Sequence, residues 1–531
     1  MRSLFARLHR RYGKKITGDE RQTFVTRQVD YQAKSLHAAR EVKAVQFRAA
    51  RRPRVAIVGA GFAGLMAGYT LGRQFDVTIF EARDRLGGRV WSKAKSSGIV
   101  EAGGELIGYN HPLWLYLGRK FELGFSVNTS DTNFDALHLE MPLYLDGDRV
   151  PKGQLEKLYD DMDEAIGKMV RQAQHIMPKR PWKAYRAKAL DDMSVAEWIE
   201  GLHCKKRVKR ALDQQFSNDG GRPCSQQSYL ANLTVVAGGA LPGHPAAFFT
   251  QSENLRCSSG NQSLADRLAE EIRNTGGVIH ILSPVNAIDI DDDKITIEAE
   301  GRTPEIVDYV ILAIPPSLWP DATRFARLKI TPQLPRDYYV SMGRAVKYLS
   351  PLKSRFWIRD GLAPTATSSA FGVTWEGTDN QIATPGRDVE LSLFAGGRAA
   401  NRALQEWKTG GSRAVNEYYA TRIGKVYKAY AEHLSQPPEF MAWPEDPWTG
   451  GGYSCLAPGE VCRAGPLLEK GFGKRMFFAG EHTCFAYMGY MEGALQSGKA
   501  AAVSIIAAAK RGASQRKAAQ SAQRKRVRSR R

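Results

Sequence analysis

The sequence predicts an α/β protein built on a parallel β-α-β unit and completed by a mixed α+β region. Three observations lead there. Val55-Ala56-Ile57-Val58 is a short apolar run of the kind buried on both faces of a parallel sheet. A glycine-rich turn and a helix-like stretch, Leu65 to Leu71, come next, and Val77-Thr78-Ile79-Phe80 supplies a second strand. Further on, helical and strand-like segments are interleaved rather than repeating one unit.

The turn itself reads Gly59-Ala60-Gly61-Phe62-Ala63-Gly64, a GxGxxG pattern between a strand and a helix. Gly59 allows the tight turn, Gly61 lets the backbone approach a pyrophosphate, and Gly64 lets helix and strand pack closely. The helix N-terminus then offers free N–H groups to a diphosphate. Glu81 closes the second strand, 22 residues after Gly59, where an acid accepts the hydroxyls of an adenosine ribose. The unit is Rossmann-like and binds a dinucleotide; the fingerprint alone leaves NAD and FAD open.

Beyond it, Leu155, Leu158, Met162, Ile166 and Met169 recur at spacings of three and four, a helical layer. A second helix is expected over about Ala265 to Arg273. Strand-like runs follow at Val278–Ile281, Ile295–Ile297 and Tyr309–Ile314, with turns at Gly276-Gly277 and Asp291-Asp292-Asp293. Aromatic and mixed segments fill 331–440. Arg475–Ala479 is a last buried strand, leading through Gly480-Glu481 to a helix from about Met491.

The 531 residues suggest two or three domains. No run of about 18 apolar residues exists, so a membrane-spanning helix is not expected. Six cysteines, none in CxxC, argue against a disulfide framework and against a zinc site, and no metal is expected. The net charge of +21 resides in the ends: residues 1–54 hold fifteen bases and four acids, residues 510–531 hold ten bases and no acid, and the body between is neutral. Solvated, disordered ends are the plain reading, with weak contact to polyanions or an anionic membrane surface as the other. No specific nucleic-acid site is expected. The leader lacks the apolar core of a secretory signal, so a cytoplasmic location is expected.

From Glu81 onward the residues resemble a known family. Glu81-Ala82-Arg83-Asp84-Arg85-Leu86-Gly87-Gly88-Arg89-Val90 is similar to the FAD-binding sequence of the flavin-dependent amine oxidases. The resemblance continues in order over about 54–508. Glu101-Ala102-Gly103-Gly104-Glu105 resembles the loop beside the flavin ring, and Ser259–Leu264 the start of a second FAD-contacting helix. Pro284-Val285 resembles the strand that meets adenine, and Ala313–Pro316 a returning strand end. Gly343–Lys347 with Phe356-Trp357 resembles the strand carrying the family's flavin-side lysine. Trp443 and Gly450-Gly451-Gly452-Tyr453 resemble an aromatic wall. Phe477–Glu481 and Gly489-Tyr490-Met491-Glu492-Gly493-Ala494 resemble the C-terminal flavin motif.

The resemblance implies a Rossmann-like FAD-binding domain assembled from about 50–110, 250–325 and 440–509, and a mixed α+β substrate domain from 111–249 and 326–439. Residues 1–50 form a basic leader, partly disordered or helical, and 510–531 a disordered tail. The implied cofactor contacts are Gly59, Ala60, Gly61, Ala63, Gly64, Glu81, Ala82, Arg83, Gly88, Arg89, Gly103, Gly104, Val285, Gly480, Glu481, Tyr490 and Met491. Lys347 would hold a water at the flavin and assist reaction with O2. Tyr453 and Tyr490 would form the aromatic cage, with Trp443 near the flavin. The implied reaction oxidises a C–N bond of a small-molecule amine to an imine and reduces O2 to H2O2.

Two departures from the family pattern shape the expectation. Gly452 stands where mitochondrial monoamine oxidases carry the cysteine that bonds FAD, so non-covalent FAD is expected. Leu106 stands near the point where many L-amino acid oxidases place an arginine to clamp a carboxylate, which favours an amine over an amino acid. Arg344 or an arginine of the helical region remains open as a substitute clamp, and Glu105 as a partner either of its own loop or of a second cationic group. The alternatives are an L-amino acid oxidase or monooxygenase, a related desaturase or isomerase, and a non-enzymatic flavoprotein docking to polyanions through its basic ends. A homodimer is compatible with all of them.

Overall fold

The computed structural model describes residues 17–40, 52–129, 131–291, 294–380 and 388–528. At its centre a five-stranded parallel sheet is ordered Met476–Phe478, Tyr309–Leu312, Arg54–Val58, Asp76–Phe80, Val278–His280. Val55 to Val58 pairs with Tyr309 to Leu312 on one side, and Arg54 to Val58 with Asp76 to Phe80 on the other. Buried on both faces, these strands need apolar runs rather than alternation, which is what the sequence supplies. The helix Phe62–Leu71 packs against the C-terminal helix Met491–Arg528. Contact is close because Gly498 carries no Cβ; one would lie 2.1 Å from the Ala63 carbonyl oxygen.

A four-stranded sheet (Glu305–Val307, Ile295–Ala299, Val285–Ile290, Lys329–Thr331) flanks this core. A seven-stranded sheet runs Glu439–Met441, Ala345–Leu352, Val389–Gly396, Gly372–Glu376, Thr367–Ser368, Leu143–Leu145, Asp148–Arg149. Two strands lie across the domain limits expected from sequence: Lys329–Thr331 pairs with Val285–Ile290, and Glu439–Met441 with Ala345–Leu352. The helical layer is present as Lys152–Ala173, Lys206–Gly220 and Tyr229–Gly238.

The basic leader contains a helix, one of the two forms expected of it, and the C-terminal tail departs from expectation. Gly18–Arg40 is a helix that buries Val25, Val29 and Leu36 in the cluster shared with the first βαβ unit. The remainder of the leader, 1–16 and 41–50, lies outside the described residues. The stretch after 510, expected to be disordered, continues the C-terminal helix to Arg528. Its Ala, Gln, Lys and Arg residues are strong helix formers, and helix propagation from a packed segment adds residues without a new nucleus. Among the described residues, no helix is long and apolar enough to cross a membrane and no His, Cys, Asp and Glu cluster could hold a metal.

Candidate active site

One cavity runs from the glycine-rich turn to the face of the seven-stranded sheet. Every site residue expected from the sequence lines it except Ala60 and Gly64, which serve the turn from behind. The Ala60 N–H donates to Glu81 Oε2 at 2.8 Å, and the Arg83 N–H donates to Glu81 Oε1 at 2.9 Å. A Cβ on Gly64 would stand 1.9 Å from the Gly59 carbonyl oxygen, so only glycine lets the helix start there. Gly59 itself has φ +103°, a conformation reserved for glycine.

The residues present fit FAD. A Cβ on Gly61 would make only ordinary van der Waals contact, with Gly88 Cα at 3.9 Å and Gly87 O at 4.0 Å, so no protein group forbids one there. The two glycine loops are bridged, with the Gly87 N–H donating to the Ala60 carbonyl at 3.0 Å. This leaves a bare backbone cradle at a helix N-terminus whose Gly61 cap provides no side-chain hydrogen bond. A diphosphate fills such a space and takes its free N–H groups.

The far motif is tied to this cradle through ionic contacts. Arg89 Nη1 donates to Glu481 Oε1 at 2.8 Å and to the Gly452 carbonyl at 3.0 Å. Glu481 also accepts from the Ser454 N–H, the Ser454 hydroxyl and the Gly489 N–H. Burial would raise this carboxyl, but Arg89 and the donors around it hold it below the ordinary value. Arg83 Nη2 donates to Asp446 Oδ1 at 2.5 Å and Thr449 Oγ1 at 2.8 Å. Trp443 is pinned over the Gly103–Gly104 loop by an N–H bond to the Ala102 carbonyl at 2.9 Å. Met491 closes on Gly104, where a Cβ would meet its Sδ at 3.3 Å.

Lys347 lies buried on Ala345–Leu352, the second strand of the seven-stranded sheet. Its Nζ donates to the Glu101 carbonyl at 2.7 Å, the Gly103 carbonyl at 3.2 Å and Glu105 Oε2 at 2.6 Å. Glu105 thus pairs inside the protein. Burial raises its carboxyl, but Lys347 and Arg256 outweigh that and hold it at about 2. Burial likewise pushes Glu101 up to about 7, against hydrogen bonds from the Asn261 N–H and Ser92.

The phenols of Tyr453 and Tyr490 face the same cavity. Tyr453 stacks on Phe394 with ring centres 6.4 Å apart, and its hydroxyl donates to the Asp219 carbonyl. Tyr490 meets His111 and Phe248 edge-on at 5.2 and 6.0 Å. Burial, then the nearby Glu253 and Asp219 carboxyls, push both phenols well above their usual range, so they stay neutral. Burial also holds His111 down at about 3 and pushes Asp219 up to about 7. One Asp219 oxygen, Oδ1, is buried without a hydrogen-bond partner.

Sequence reading missed Glu253, Trp375, Phe394, Arg327 and Trp448, all in the cavity wall. Glu253, Trp375, Phe394 and Arg327 lie outside any glycine-rich or repeated pattern, and Trp448 lies two residues before the Gly450–Gly452 run. Each is brought in by pairing between distant strands or by a loop between them, as when Val373 of the Trp375 strand is placed opposite Phe394.

Comparison with known proteins agrees with this geometry. The model of the flavin containing amine oxidoreductase family matches residues 62–506. Amine oxidase [flavin-containing] A of Canis lupus familiaris is 25% identical over 480 residues, covering 85% of this chain and 84% of that one. The L-amino acid dehydrogenase of Synechocystis sp. is 25% identical over 487 residues, covering 85% and 94%. The solved structure of wild-type putrescine oxidase bound to putrescine superposes with a TM-score of 0.69 at 23% identity, over 86% of this chain and 99% of that one. The chain therefore belongs to the flavin-containing amine oxidoreductases, with FAD as its cofactor.

Proposed function

We propose that the protein oxidises the C–N bond of a primary or secondary amine to an imine, with O2 reduced to H2O2. The observation that carries this reading is one cavity joining the glycine cradle to the Tyr453–Tyr490 pair, beside which the Asp219 and Glu253 carboxyls stand. Held by the Gly59–Gly64 turn and the Gly87–Gly88 loop, FAD would supply the acceptor for a hydride equivalent from the carbon next to nitrogen and the two electrons that reduce O2.

The chain's own residues supply the rest. The neutral phenol faces of Tyr453 and Tyr490 steer the amine and exclude water. The buried His111 ring packs edge-on against Tyr490 and, neutral, adds no positive charge beside it. Lys347 ties the cavity wall together, its ammonium donating to the Glu101 and Gly103 carbonyls and to Glu105. FAD is held without a covalent bond, since Gly452 offers no thiol.

The test is amine-dependent formation of H2O2 by the purified holoprotein, compared with Tyr490→Leu. We expect kcat/KM for a primary amine to fall about tenfold or more in the variant with FAD still bound, on the scale of one lost aromatic contact plus burial. Peroxide formation that ignores added amines contradicts the reading.

A further inference from the structure

Two strong cations stand on the Lys347 side of the cavity, and the chain itself neutralises both. Glu105, Lys347 and Trp375 line the cavity; Arg256 does not. Glu105 Oε2 accepts from Lys347 Nζ at 2.6 Å. Its Oε1 accepts from Arg256 Nε at 2.9 Å and Trp375 Nε1 at 2.8 Å, and Arg256 Nη2 lies 2.7 Å from the same oxygen. Backbone carbonyls take other donors: Glu101 and Gly103 from Lys347, Glu376 from Arg256. The Asn261 amide clamps the Glu105 loop through the Gly104 and Glu105 carbonyls at 3.0 and 2.8 Å. The side chains of the three ionised residues are 4 to 6% exposed.

A planar guanidinium beside an ammonium is the donor set that binds a carboxylate. Here the carboxylate comes from the protein. An incoming one would have to displace Glu105, leaving a buried charge unpaired, or lie against it with no donor free. The other arginines of the wall offer no substitute. Arg83 is bound to Asp446 and Arg89 to Glu481. Arg327 belongs to the opposite end, just before Lys329–Thr331, the strand that pairs with Val285–Ile290.

We infer that Glu105 is a built-in occupant of a carboxylate site, and that it makes the cavity selective for amines bearing no carboxylate. Glu105 is then a specificity-determining residue, and its removal uncovers an anion site made by Arg256 and Lys347. The inference rests on reading the cavity as an amine site, and the experiment keeps the two apart.

The probes are benzoate, followed by the absorption of bound flavin, and acetate, followed by thermal unfolding, on holoprotein of wild type and Glu105→Ala. Benzoate is expected to bind the variant at least about tenfold more tightly than wild type, the size of one charge-assisted hydrogen bond. Acetate is expected to raise the unfolding temperature of the variant and leave that of wild type unchanged. Glu105→Ser, which also vacates the site between the two cations, carries the benzoate measurement if the alanine variant does not fold. Equal benzoate affinity in wild type and variants, or acetate stabilisation no greater in Glu105→Ala, overturns the inference. A wild type reduced by phenethylamine that fails in this way keeps the amine reading. A wild type reduced by no amine, with the carboxylate gain present, loses the amine reading alone.

Discussion

Arg89 and Glu481 meet at 2.8 Å across 392 residues of sequence, joining the loop after the first βαβ unit to the end of the last strand of the parallel sheet. Glu481 is buried with four donors converging on it. Glu481→Ala strands a guanidinium and three further donors, and is expected to cost roughly 3–5 kcal/mol. Urea unfolding of the variant without cofactor measures it, and a loss below about 1 kcal/mol contradicts the assignment. The same carboxyl, held low in the folded state, stabilises fully above its unfolded value near 4.5. That contribution is lost as pH falls through the depressed value, so Glu481→Gln flattens the acid limb of stability.

The glycine cradle separates binding from folding. Gly61→Ala adds a methyl group that meets the Gly87–Gly88 loop only at ordinary contact distance, and Gly64→Ala drives one into the Gly59 carbonyl at 1.9 Å. We expect Gly61→Ala to keep the unfolding temperature of the cofactor-free protein while weakening FAD binding by at least about tenfold, a loss of about 1.4 kcal/mol. Gly64→Ala should lower both. Fluorescence titration of FAD against each variant checks this.

Glu492 gives a pH response of opposite sign. It accepts from the Leu113 and Trp114 N–H groups at 3.0 and 2.9 Å, capping the helix Pro112–Lys120, and burial pushes it up to about 7. Between its unfolded value near 4.5 and about 7 the folded state binds the extra proton, so stability falls as pH rises through that window. Glu492→Gln should remove this slope. Unfolding free energies at pH 5 and pH 8 for both proteins test it, and an unchanged slope contradicts it.

The cofactor half of the molecule was legible because its signals are local. Gly59, Gly61 and Gly64 sit at a fixed spacing, the strands around them are apolar runs, and Glu81 closes the second strand. The seven-stranded sheet was not. Val389–Gly396 is buried at every position yet carries Glu390 and Ser392, and burial pushes Glu390 up to about 7. Val389, Leu391 and Leu393 alternate with Glu390 and Ser392, the pattern of a half-exposed strand, so the burial of both faces is not legible in it. Arg256 and Glu105 belong to one cluster through a strand pairing and a loop 151 residues apart, a relation no spacing encodes. The helix through Arg528 was missed because charge density was weighed above helix propensity.

Gly452 bears on how FAD is held. It lines the cavity, carries no thiol, and a Cβ there would stand 2.7 Å from Ala345 Cβ. Acid precipitation of the holoprotein is therefore expected to release all flavin into the supernatant. Flavin retained in the washed pellet contradicts non-covalent binding.

The central claim is that a flavin held in this cavity takes electrons from amines. Anaerobic mixing of the holoprotein with a panel of primary, secondary and polyvalent amines and L-amino acids, followed at the flavin band, tests it most directly. We expect amines to bleach the band, faster as pH rises and frees the neutral amine, and L-amino acids to do so at least about tenfold more slowly. A flavin that no amine reduces, or that L-amino acids reduce fastest, contradicts the account.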